Sequence, residues 1–139
     1  MSRKRSNFVE AAKSYTGTKF IHQGRTPHVG LDCAGVVICA AQEAGYDVDA
    51  PSVYRRIPRP ATLIAALERF CDPADNNGEP GLIHLLKGHN TTNVCHLAVR
   101  LDETTVLEAR PGGSVGANPY IHELVMSTWT LKEADDGLC

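Results

Sequence analysis

The apolar positions of this chain change their period once. Up to about residue 70 they recur at helical spacing; beyond residue 80 they alternate or run continuously, as in strands. "SNFVEAAKSYTG" reads as a first helix, capped by Asn7 or Ser6, with Glu10 three residues after Asn7 as in a capping box and Gly17 as its end. "LDCAGVVICAAQEAGYD" is the clearest element. Val36, Val37, Ala40, Ala41 and Ala44 make one apolar face, Asp32 is a good N-cap and Gly45 a good residue just past the end. "ATLIAALERF" is a short helix with Leu63, Leu67 and Phe70 on one side.

After the turn-rich "CDPADNNGEPG" the pattern becomes extended. "LIHLLKG" and the stronger "VCHLAVRL" read as strands, "VLEAR" as the strand returning from the polar turn "DETT", and "YIHELVMSTWTL" as a final strand. "TKFIHQGRTPHVG", "DAPSVYRRIPRPA" and "PGGSVGANP" read as loops, and "KEADDGLC", residues 132–139, as a mobile tail. Helices followed by an antiparallel run of strands specify an α+β fold, and 139 residues suit one domain spanning 1–139.

Composition narrows the function. Hydrophobic residues at 42%, charged residues at 22% and a net charge of −2 describe a globular protein with no call for a nucleic-acid or membrane partner. "MSRKRSNF" is basic, but no apolar stretch follows it, so neither a signal peptide nor a transmembrane span is expected. The five cysteines are odd in number, widely spaced and never in a CxxC pair, which argues for a reduced compartment rather than a disulfide framework. Cys95 and His96 are adjacent and would face opposite ways on a strand; His22 and His28 near Cys33 leave a metal open, but none is assigned.

Three residues carry candidate chemistry. Cys33 falls in the first turn of the second helix, where free N–H groups and the helix dipole favour a thiolate; a small core residue is the alternative. Cys39, six residues on, has no such benefit and reads as core. A nucleophilic thiol needs a base. His96 lies inside "VCHLAVRL" with Ala98, on the face opposite Cys95, Leu97, Val99 and Leu101; a half-exposed strand histidine is the alternative. Glu108, twelve residues later, orients that ring only if the "DETT" turn holds an odd number of loop residues, so that 96 and 108 share a face. Otherwise it is an exposed strand glutamate.

Taken in order, "KFIHQG", "DCAG", "HLAV" and "LEA" resemble the NlpC-type cysteine peptidases over about residues 8–129, and "HQGR…GLDC" with "HELVMSTW" resembles the phage tail-associated branch. The resemblance implies a circularly permuted papain-like fold, with N-terminal helices packed on an antiparallel β-sheet. It implies Cys33 as nucleophile, His96 as general base and Glu108 in the third position, where His, Asn or Gln is usual. Ala34 stands where serine is common, Phe20 where tyrosine is frequent, and Leu82 where aspartate is usual. Phe20, Arg25, Asp32 and Ala34 are then the candidate substrate-binding residues, Arg25 for a substrate carboxylate, and "FIHQGRTPHVG" and "GHNTTN" the loops lining the cleft.

The implied activity is hydrolysis of peptidoglycan stem peptides at the γ-D-glutamyl–diamino acid bond, with no metal and no cofactor. The implied setting is a phage tail tip, with tail-tip hub proteins as partners and the virion as location, the chain being made in the host cytoplasm. A structural tail-tip adaptor and a cytoplasmic cysteine amidase or acyltransferase are the alternatives.

Overall fold

The structure, a computed structural model, describes residues 2–48, 60–87 and 95–133. Residues 49–59, residues 88–94 with the expected loop "GHNTTN", and residues 134–139 with most of the expected tail lie outside them. The described residues form three α-helices packed on one face of a six-stranded antiparallel sheet, so the α+β expectation holds.

Helix α1 runs Arg3–Ser14 and begins earlier than expected. Its cap is Ser2, whose hydroxyl accepts from the Arg5 amide at 3.0 Å, not Asn7 or Ser6. The intervening arginines and lysine are good helix formers, so nothing stops the helix at the interior cap signal. Gly17 then supplies the left-handed conformation that turns the chain, with φ +94°. Helix α2, Cys33–Glu43, is buried almost all round, from Cys33 to Val37 and again over Cys39 to Ala41. Its small side chains let it lie between α1 and the sheet. Helix α3 covers Pro60–Phe70 and buries Leu63 and Leu67.

The loop before α2 contains a short pair of strands, β1 (Arg25–Thr26) and β2 (Gly30–Leu31). The main sheet comprises β3 (Cys71–Pro73), β4 (Ile83–Lys87), β5 (Cys95–Arg100), β6 (Thr105–Ala109), β7 (Val115–Pro119) and β8 (Val125–Leu131), in the order β3-β8-β4-β5-β6-β7. β4 is central and covered on both faces, which is why "LIHLL" reads as a continuous apolar run and not an alternation.

Three stretches differ from their sequence reading. β3 starts inside the expected turn, directly after α3. β7 lies inside "PGGSVGANP": only Val115 of its residues is buried, so no alternation marks it, and pairing with β6 creates it. The final strand is shorter, because His122–Leu124 form a single 3₁₀ turn ahead of β8.

One face of the sheet meets the helices through Cys95, Leu97, Val99, Leu107 and Trp129. The other face carries Leu86, Ala98 and Val106, against which Tyr120, Leu124 and Val125 pack. The same face buries His84. Arg100 donates Nη1 to His84 Nε2 at 3.2 Å, so the ring proton sits on Nδ1, which bonds the Thr128 hydroxyl at 3.0 Å. The Arg100 guanidinium also bonds the carbonyls of Asp102 and Glu103 and the Asn76 side chain, and lies 3.5 Å above the Tyr120 ring. Burial, then the Arg100 charge, lowers the His84 pKa to about 4.

Candidate active site

Asp32 builds the start of α2. Its Oδ1 accepts from the Gly35 amide at 2.7 Å and from Arg25 Nη1 at 2.9 Å, and its Oδ2 from the Gln23 amide at 2.9 Å. The carboxylate therefore caps the helix and ties the preceding loop across it. Gly35 permits the crossing: a Cβ there would lie 2.2 Å from the Gly24 carbonyl oxygen. Arg25 Nη1 also bonds that carbonyl, so its guanidinium already has a carboxylate and a carbonyl partner within the chain. Phe20 is half-buried against the core, with its amide bonded to the Gly113 carbonyl.

Cys33 is the first residue of this helix and is buried. The helix's first internal bond runs from the Val36 amide to the Asp32 carbonyl, and Asp32 takes the Gly35 amide. The amides of Cys33 and Ala34 thus have no intrahelical acceptor and point out of the helix end. Ala34 is buried and lines an apolar cleft of about 50 Å³ between α2, α3 and the sheet, with Val37, Leu63, Leu67, Phe70 and Leu97. Cys39 is core, its thiol bonding the Arg25 carbonyl.

β5 meets α2 at the Cys33 end. Cys95 points into the helix-side core, and His96, on the face shared with Ala98, lies close enough to the Cys33 thiol for that group to raise its pKa. Across the β5–β6 hairpin Val99 pairs with Leu107 and Arg100 with Val106, which leaves an odd number of loop residues. Position 108 therefore shares the face of 96 and lies diagonally from it. His96 Nε2 donates to Glu108 Oε1 at 2.5 Å, leaving Nδ1 for the thiol. The sequence-nominated trio Cys33, His96 and Glu108 is thus contiguous. Phe20, Arg25 and Asp32 belong to the loop and cap that hold Cys33 in place.

The electrostatics suit proton transfer. Burial opposes the charged form of His96, but Cys33 and Glu108 beside it outweigh that and raise its pKa to about 9. Burial likewise opposes ionisation of Glu108, but the bonds to His96 and Arg110 outweigh it and lower the pKa. The sequence reading missed Arg110, whose Nη2 holds Glu108 Oε2 at 3.1 Å. The signal was available: two positions on along a strand, it shares the face of Glu108. A small pocket of about 10 Å³ opens beside the pair, with Lys87, Arg110 and Tyr120 in its wall.

No protein-family model matches this chain, and no curated protein matches its sequence. Solved structures do match its fold. A lipoprotein-like NLP/P60-family protein from Staphylococcus aureus superposes with a TM-score of 0.67 at 15% identity, covering 96% of this chain and 43% of its own. RipD from Mycobacterium tuberculosis, described as a non-catalytic NlpC/p60 domain protein adapted to peptidoglycan binding, gives 0.62 at 15% identity over 94% of this chain and 98% of its own. The NlpC/p60 domain of the peptidoglycan hydrolase SagA gives 0.60 at 17% identity over 93% and 98%. This chain spans less than half the length of the first of these and nearly all of the other two. The fold is the papain-like one of NlpC/P60 domains.

Proposed function

We propose that this protein is a cysteine peptidase acting on peptidoglycan stem peptides, at the bond between a γ-D-glutamyl residue and a diamino acid. One observation carries the reading: a thiol at a helix N-terminus beside a histidine that a buried carboxylate holds by its Nε2. That arrangement supplies nucleophile, base and orienting group together. Proximity to peptidoglycan-directed neighbours on the same fold supports the substrate class.

In the reaction, Cys33 thiolate attacks the scissile carbonyl carbon and His96 holds the thiol proton as imidazolium. The carbonyl oxygen becomes an oxyanion facing the Cys33 amide. His96 then gives its proton to the leaving amine, forming the acyl-enzyme. Water, giving a proton to the same imidazole, releases the acid and regenerates the thiol. Glu108 keeps Nδ1 directed at the sulfur throughout.

The physiological setting we propose is a phage tail tip, assembled in the host cytoplasm with tail-tip hub proteins and opening the wall locally during infection. It rests on the resemblance of "HQGR…GLDC" and "HELVMSTW" to the tail-associated branch. A second reading, wall binding without cleavage, is favoured by the description of RipD as non-catalytic. Purified protein incubated with muropeptides and followed by mass spectrometry tests both. Cleavage that disappears in Cys33→Ser and His96→Ala supports the peptidase; retention on sacculi with no new fragments supports binding alone. Turnover confined to amides outside the wall would contradict the proposed substrate. Co-purification with tail-tip proteins tests the setting separately.

A further inference from the structure

Glu108 is a carboxylate with 3% of its side chain exposed, and each of its oxygens is engaged. Oε1 accepts from His96 and Oε2 from Arg110, which lies on the same face two residues further along and is 43% exposed. Building on the peptidase reading, we propose that Arg110 is a positioning residue for the same reaction: it fixes Glu108 as the acceptor for His96 and so sets which ring nitrogen faces Cys33.

The physical case starts from burial. A carboxylate taken out of water favours its protonated form unless positive charge or donors meet it. Protonated Glu108 has a hydroxyl to donate. His96 Nε2 then accepts and its proton moves to Nδ1, where it faces the thiol and leaves no base for it. A cation on Oε2 prevents that exchange, because the ionised form gains a charge-assisted bond that the acid lacks. It also holds the carboxylate plane, since one oxygen is tied to His96 on β5 and the other to Arg110 just past the end of β6.

The charged and titratable groups around this carboxylate come from four elements. They are Lys87 at the end of β4, His96 on β5, Arg110 after β6 and Tyr120 after β7, while Cys33 of α2 adjoins through the imidazole. Of the two cations, Arg110 is the one in bonding contact with Oε2.

The test uses the full chain with Arg110→Gln and Arg110→Lys, and two readouts. One is the pH dependence of Cys33 alkylation by iodoacetamide, followed on the Cys33 peptide by mass spectrometry; the other is muropeptide kinetics. Arg110→Gln is expected to move the acid midpoint of alkylation up by about one pH unit. It should lower kcat about tenfold, with KM within about twofold. Arg110→Lys keeps the charge and should recover most of both.

An unmoved alkylation midpoint in Arg110→Gln overturns the proposal. So does a raised KM with unchanged kcat, which would make Arg110 a substrate contact. Loss of thermal stability with the midpoint unchanged, and no recovery in Arg110→Lys, would make its role structural only and overturn the proposal too. Alkylation needs no substrate. A midpoint shift in Arg110→Gln alongside a wild-type chain that cuts no muropeptide would therefore sink the substrate reading and leave this one standing.

Discussion

Two histidines sit on neighbouring strands of one sheet, on the same face, and the fold gives them opposite characters. His84 on β4 pairs across with Ala98, and His96 on β5 pairs across with Leu86. His84 is fully buried and faces the Arg100 guanidinium, so it is held neutral, with a pKa of about 4. His96 is 18% exposed and lies between the Cys33 thiol and the Glu108 carboxylate, so it is held protonated up to about pH 9. Burial pushes both rings toward neutrality. The sign of the neighbouring charge decides which of them keeps its proton. A strand histidine is thus not chemically active by position. The side chains that other strands bring to it make it a base or a structural acceptor.

The largest way to break this comparison is to remove one ring at a time. His96→Ala should lower muropeptide cleavage per folded molecule by about a thousandfold, about 4 kcal/mol of transition-state stabilisation. Next in size is the opposite pattern at the other histidine. Arg100→Met strips the partners from His84, Asn76 and two carbonyls, and should cost about 3 kcal/mol in urea denaturation. The activity per folded molecule should stay within about threefold, since Arg100 contacts neither Cys33, His96 nor Glu108.

The pH dependence of stability should separate the two rings by direction. The folded pKa of His84 is lowered, so the unfolded chain binds a proton that the folded one does not. Stability is then lost as pH falls from about 6.5 toward about 4. The folded pKa of His96 is raised, so its contribution is full below about 6.5 and lost as pH rises through about 9. Chemical denaturation across pH should show the acid loss vanish in His84→Gln and the alkaline loss vanish in His96→Ala. Cleavage by the wild type should fall through about pH 9 as the imidazolium that protonates the leaving amine disappears.

The smallest effect sharpens the contrast. Glu108→Gln keeps a hydrogen bond to His96 and removes the charge. Cleavage should drop about tenfold to a hundredfold, and its alkaline limb should move to lower pH. An unmoved limb would show that the carboxylate's charge does not hold the proton on His96.

Much of the site was legible in the chain because it is local. A capping aspartate followed by a thiol puts Cys33 in a first turn wherever the helix packs, and period two puts His96 on the face away from Cys95 and Leu97. Glu108 was legible only conditionally, since its face depends on the parity of a hairpin loop, which the polar turn does not announce. Arg110 was readable by the same alternation once Glu108 mattered. Arg25 was not: its guanidinium is taken up by a carboxylate seven residues away, through a loop closure that needs both Gly24 and Gly35. β7 was invisible because one buried residue makes no pattern.

By itself, then, the sequence determined the α+β order, the helix that carries the thiol and the face that carries the histidine, because helix and strand periods are properties of neighbouring residues. Only the tertiary structure decided that Cys33 meets His96, that Arg110 closes on Glu108, and that Arg100 and not a carboxylate meets His84. Those are encounters between strands and helices, where hairpin register and close backbone approach choose the partner, and in a buried site the partner's charge chooses the proton.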